Sequence, residues 1–278
     1  MSKKVLLDNN VGDRFEELPQ RERDEFVSCF RGRRFSHYLD PSMLLEVIRI
    51  GDSPARCAMF ARRLRWLLSL EGRFLLDGNE IIESELAGET RLFEQAGEAK
   101  MHRDRLAQVA EVVEAGKTLP QREDDGLGMF RRAYGQLKGQ QEAFRGMIDH
   151  PGDAKEDYPT FASFREGWAL PRLGEYLTDI FVGFNLDRNQ IPKVIADPGR
   201  YPYLFTHLEI AWAKKYLTFV EDMRVGEGDI IDTHYLLYMR GLDIFVTDDK
   251  RLTRLFLLVY PQGKQVLRFS EFMPLVRA

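Results

Sequence analysis

Cysteine is scarce in this chain. Cys29 and Cys57 are the only two in 278 residues, and they form no Cys-x-x-Cys pair. That excludes a disulfide framework and a four-cysteine zinc site, and leaves two free thiols expected to be mostly buried. Long apolar runs are missing as well: Arg, Glu or Asp interrupts every stretch before the roughly 18 residues that a membrane span needs. The opening residues, Met1-Ser-Lys-Lys-Val-Leu-Leu-Asp8, contain no signal-peptide core, so a cytoplasmic protein without a membrane partner is expected. Neither Gly-x-x-x-x-Gly-Lys nor Gly-x-Gly-x-x-Gly occurs, which leaves nucleotide cradling unsupported. The five histidines are scattered, with no spacing for a histidine metal site or a Ser-His-Asp triad. A charge excess of one sign is also lacking: 40 basic against 44 acidic residues give a net charge of −4, so no global basic field marks the surface.

What remains is ordinary for a folded globular protein: 44% hydrophobic and 30% charged residues, with no repeat and no low-complexity tract. Most basic residues are arginine, in two short clusters, Arg31, Arg33, Arg34 and Arg56, Arg62, Arg63, Arg65. Arginine suits bidentate phosphate contact, and the same clusters also fit the wet faces of amphipathic helices.

Strand signals stand at the chain ends: Val5-Leu6-Leu7, Arg34–Leu39, Asp243–Thr247 and Gln265–Ser270. Helical periodicity fills the rest, over about 14–31, 41–50, 54–72, 79–98, 101–116, 127–148, 160–182, 202–223 and 230–240. Within 202–223 the stripe Tyr201, Tyr203, Phe205, Leu208, Trp212, Tyr216, Phe219 reads as a core face. Strands at both ends with helices between predict an α/β sheet whose ligand site lies beyond the carboxyl ends of the strands.

The acids follow that rule. Leu7 runs into Asp8, and Thr247 runs into Asp248 and Asp249; Glu46 interrupts an apolar helix face, and Asp229 and Asp232 share one face of a helix start. Converging carboxylates repel one another unless a cation lies between them, and hard Mg²⁺ or Mn²⁺ prefers such oxygen ligands. The same residues, taken singly, also serve as turn formers and helix caps, Asp248 or Asp249 for a helix beginning near Lys250.

Val5-Leu-Leu-Asp-Asn-Asn-Val11 resembles the opening strand of PIN-domain nucleases. The stretch from Asp229 to Leu252, with an acid on a helix, a turn, a strand and then Thr247-x-Asp249, resembles that family's closing signature, and Val266–Phe272 its last strand and helix. The resemblance covers roughly residues 3–50 and 228–276. It implies a single elaborated PIN-like domain over 1–278: a Rossmann-like three-layer sandwich with a short, mostly parallel sheet. Its core would be 1–55 and 228–278, with a helical insertion over about 80–200. It further implies a metal-dependent endoribonuclease in which Asp8, Glu46, Asp232 and Asp249 are catalytic. Asp8, Asp232, Asp249 and Asp229 would ligate Mg²⁺ or Mn²⁺, and Asn10, Thr247, Arg62 and Arg63 would contact the RNA. The other readings are a non-catalytic RNA- or protein-binding scaffold, with an antitoxin-type partner or a second copy of the chain, and more distantly a haloacid-dehalogenase-like phosphatase. For the latter Asn10 stands where the usual second aspartate is required.

Overall fold

The computed structural model describes residues 2–8, 10–39, 54–114, 156–183, 187–221, 223 and 235–277. Among these residues is a five-stranded, wholly parallel sheet: β1 (Lys3–Leu7), β2 (Phe35–Leu39), β3 (Arg73–Phe74), β4 (Ile244–Val246) and β5 (Gln265–Leu267), in the order β3-β2-β1-β4-β5. β1 is central, with Val5 opposite His37 and Ile244, and Leu6 opposite Tyr38 and Phe245. Its unbroken apolar run, Val5-Leu6-Leu7, suits a strand covered on both faces, and all three residues are fully buried.

Helices cover both faces, which makes an α/β three-layer arrangement. On one side α1 (Asn10–Glu17), α2 (Gln20–Arg31) and α11 (Phe269–Arg277) bring Phe15, Phe26, Phe30 and Phe272 together with Phe35 of β2; Trp66 of α3 (Pro54–Ser69) stacks on Phe15 at 4.5 Å between ring centres. On the other side Phe245 of β4 meets Tyr235 and Phe256 of α10 (Lys250–Val259). Between β3 and β4 lie α4 (Gly78–Leu86), α5 (Ala96–Glu114), α6 (Phe161–Phe164), α7 (Leu173–Gly183), α8 (Ile191–Ala196) and α9 (Pro202–Phe219). The aromatic stripe is core at Tyr203, Leu208, Trp212 and Tyr216, all buried. Among the described residues no helix is long and apolar enough to cross a membrane.

Several sequence expectations change. The helix expected over 14–31 is two helices, because Pro19 lacks an amide donor and takes the N-cap position of α2. The helix expected over 79–98 ends at Leu86. Gly88 adopts φ +86°, and its N–H bonds the Glu85 carbonyl at 2.9 Å while that of Glu89 bonds Ser84 at 2.8 Å, a Schellman ending that stops the helix. The chain then runs extended to Phe93, which bridges antiparallel to Leu75 and covers the β3 edge. The expected helix over 160–182 breaks at Pro171 into α6, a π-helical turn (Arg165–Ala169), a 3₁₀ turn (Leu170–Arg172) and α7. The last strand ends at Leu267 rather than Ser270, where α11 begins at Phe269. β3 lacked a signal because a two-residue strand has no periodicity. The helices expected over 41–50 and 127–148 lie outside the described residues, as does the start of that over 230–240.

A buried acid organises the helical part. Glu85 of α4 is 1% exposed and accepts the N–H groups of Tyr203 at 2.9 Å and Leu204 at 2.8 Å, the first turn of α9. Burial raises the pKa of its carboxyl, against the lowering effect of these two backbone bonds.

Candidate functional site

The strand order decides where a site can form. From β1 the chain crosses to β2 and β3 on one side, and it later returns to β4 and β5 on the other, so the connections diverge between β1 and β4. In parallel sheets the crevice at such a switch point, beyond the carboxyl ends of the strands, is where ligands lie. Asp8 follows β1 there, and Thr247-Asp248-Asp249 follows β4.

Backbone pairing holds the two strand ends together: the Asp8 N–H donates to the Val246 carbonyl at 3.0 Å, and the Thr247 N–H to the Leu267 carbonyl at 3.0 Å. The side chains then close a compact network. The Asp8 carboxylate is 6% exposed and its Oδ2 accepts the Thr247 hydroxyl at 2.6 Å and the Asn10 amide at 2.6 Å. Thr247 is fully buried, and its Oγ1 accepts in turn the Asn10 amide at 3.3 Å and the Asp249 N–H at 3.0 Å. Asn10, the first residue of α1, accepts the Asp248 N–H on its Oδ1 at 3.2 Å.

The two following acids are anchored differently. Asp249 is the N-cap of α10, its Oδ1 accepting the Arg251 N–H at 2.7 Å and the Leu252 N–H at 3.0 Å. Asp248 turns away: its Oδ1 accepts the Phe269 N–H at 3.1 Å and its Oδ2 the Arg14 Nε at 3.0 Å. The hydrogen bonds to Asp248 and then Glu17 hold the Arg14 guanidinium above its ordinary pKa. Sequence reasoning did not single out Arg14, since its partner lies 234 positions away.

Of the expected site residues, the structure brings together Asp8, Asn10, Thr247 and Asp249. Glu46, Asp229 and Asp232 lie outside the described residues. Arg62 and Arg63 sit on α3 and attach it to α1. Arg62 is exposed and 3.7 Å from Glu16, whereas Arg63 is buried, its stem packed over Gly12 and its guanidinium paired with Asp13. Arg63 therefore serves as a tie between helices instead of presenting its charge to solvent. Cys29 is a free, half-buried thiol donating to the Val276 carbonyl at 3.0 Å, and the Cys57 side chain lies outside the described residues.

Among the described residues no group of three or more His, Cys, Asp and Glu side chains could hold a metal ion. The described carboxylates at the switch point are Asp8 and Asp249; the Thr247 hydroxyl donates to the carboxylate of the first and accepts the backbone N–H of the second. No family model, no curated protein and no solved structure matches the chain.

Proposed function

We propose that the chain is a PIN-like, metal-dependent endoribonuclease whose reaction takes place at the switch point between β1 and β4. The observation that supports this reading most is the convergence of Asp8, Asn10, Thr247 and Asp249 at the carboxyl ends of two adjacent parallel strands. A near-buried carboxylate fixed by two short hydrogen bonds is a rigid donor, and rigidity is what an oxygen-ligand site for a small hard cation requires. The donor chemistry fits Mg²⁺ or Mn²⁺: Asp8 and Asp249 supply hard oxygens, and Asp232, Glu46 and Asp229 are the proposed remaining members of the shell. Such an ion, when bound, supplies Lewis acidity toward a phosphodiester and lowers the pKa of water.

The chain's own residues have distinct tasks in this reading. Thr247 and Asn10 hold the Asp8 carboxylate in one rotamer, and Asn10 also ties the start of α1 to the backbone of Asp248. Asp249 uses Oδ1 as a helix cap, which fixes the direction of its second oxygen. Arg14, exposed at the same edge, pairs with Asp248 and Glu17 and so screens these two carboxylates where a polyanion would approach.

Cleavage of labelled single-stranded RNA in Mn²⁺ by the full chain, against Asp8→Asn and Asp249→Asn, tests the reading. Loss of cleavage in both variants supports it; equal rates in all three proteins assign the activity to a contaminant and overturn it. A non-catalytic scaffold is the second reading, because the described carboxylates are already engaged by protein donors. Calorimetry that finds no Mn²⁺ binding would favour that scaffold.

A further inference from the structure

A second cluster of charge and aromatic rings lies away from the strand ends, on the helices between β3 and β4. Trp168 sits in the π-helical turn Arg165–Ala169 and stacks on Phe164 at 4.9 Å, the planes 20° apart. Two cations share its indole: the Arg172 guanidinium at 4.8 Å from the ring centre and the Lys215 ammonium at 5.4 Å. Lys215 also lies 4.2 Å from the ring centre of Tyr176 and hydrogen-bonds its hydroxyl. Arg172 is pinned by a 2.9 Å bond from Nη1 to the Trp168 carbonyl, and Tyr176 stands edge-on to Trp168 and to Trp212. All four of these side chains are half-buried.

Two like charges held over one ring repel each other, and partial burial strengthens that repulsion. Burial, and then Arg172, lower the pKa of Lys215 to about 8, while Asp179 acts in the opposite direction. A π-helical turn is a sparsely used geometry that recurs at functional positions, and here it holds Trp168 against Phe164 and within cation–π distance of Arg172 and Lys215. Guanidinium, ammonium and phenol together are a donor set for a phosphate oxygen.

The cluster is linked to the strand ends by packed side chains. Phe164 packs on Tyr216 of α9 at 5.7 Å, α9 lies along α10, and Arg254 of α10 pairs with Glu221 just beyond the end of α9. α10 is the helix that Asp249 caps.

We infer that Arg172, Lys215, Tyr176 and Trp168 form a second binding site, which takes a backbone phosphate of a single-stranded RNA whose scissile bond lies at the β1–β4 edge. The inference rests on the ribonuclease reading for the identity of the polyanion. It requires that RNA contact the protein at two places, and that the contact at Lys215 not depend on metal or on Asp8.

The test uses the full chain without metal, so that the proposed hydrolysis cannot proceed, and a single-stranded oligouridine. Lysines are acetylated with an activated ester and read by mass spectrometry, with exposed Lys3, at the amino end of β1 and so at the opposite end of the sheet, as internal reference. Saturating oligouridine is expected to suppress labelling of Lys215 severalfold relative to Lys3. Lys215→Met and Arg172→Gln are each expected to weaken oligouridine binding about tenfold and to flatten its salt dependence by about one phosphate, with Lys215→Arg retaining both. Retention by the Lys215→Arg protein separates lost charge from lost folding. Unchanged labelling of Lys215, or unchanged affinity and salt slope in both variants, overturns the inference even where Asp8→Asn abolishes cleavage. Protection of Lys215 by inorganic phosphate but not by oligouridine also overturns it, by assigning the site to a free anion. Protection by oligouridine in a protein whose cleavage is indifferent to Asp8→Asn sustains this binding site while the catalytic reading falls.

Discussion

The hydroxyl of Thr247 donates to the carboxylate of Asp8 at 2.6 Å, across 239 positions of sequence and inside a site where Thr247 is fully buried. One small side chain thereby fixes the Asp8 rotamer, receives the Asn10 amide and holds the backbone of Asp249. Everything proposed for the strand ends depends on that hydroxyl remaining in place.

Replacing Thr247 with Val keeps the shape and removes the donor and acceptor. The Asp8 oxygen and the Asp249 N–H are then left short of a partner, so Thr247→Val is expected to destabilise the protein by about 1–3 kcal/mol, with Thr247→Ser restoring most of it. Denaturant melts of the three proteins check this, and equal midpoints would refute the role.

Metal binding predicts a linked change in stability. An ion that binds only the folded chain raises its unfolding free energy, by about 2.7 kcal/mol at a hundredfold excess over the dissociation constant. The melting temperature of the wild type is expected to rise with Mn²⁺, and that of Asp8→Asn to be indifferent to it. A parallel rise in both would remove Asp8 from the shell.

Asp249 has two separable tasks. Asparagine caps a helix nearly as well as aspartate, so Asp249→Asn is expected to leave stability within a few tenths of a kcal/mol, while Asp249→Ala loses about 1 kcal/mol. Reduced Mn²⁺ affinity in Asp249→Asn at unchanged stability would isolate the ligand role from the cap.

His37, in the middle of β2, is fully buried against Phe30, and neither ring nitrogen has a hydrogen-bond partner among the described residues. Burial, with a contribution from Arg103, lowers its pKa from 6.5 to about 3. The unfolded chain therefore binds a proton below pH about 6.5 that the folded chain refuses until about pH 3, and stability falls across that window by up to about 1.4 kcal/mol per pH unit. His37→Leu is expected to flatten the acid limb of a stability profile measured from pH 7 to pH 4. An identical limb in the variant would exclude the residue as its source.

The cap from Glu85 gives a further test. Glu85→Ala orphans the N–H groups of Tyr203 and Leu204 at the buried start of α9, at a cost of about 2–3 kcal/mol. A loss below about 0.5 kcal/mol would mean that water reaches these amides.

Local chemistry determined a good part of this protein from sequence. The apolar runs Val5–Leu7 and Ile244–Val246 had the signature of buried strands, the Asp248–Asp249 pair before Lys250 that of a cap, and the α9 stripe the period of a core face, because each is read from neighbouring residues, while the structure chose Asp249 as the cap. The tertiary structure decided what depends on distant partners. A two-residue β3 exists only because β2 offers a ladder to join. Arg63, which in sequence belongs to a basic cluster, is drawn inward by the bare backbone of Gly12 and the carboxylate of Asp13. Glu85 and Lys215 have no local signal, since the groups that give them meaning lie 118 residues later and 47 residues earlier in the chain, whereas Arg172 stands only four positions from Trp168. Their positions follow from burial and packing free energies that no short window of sequence contains.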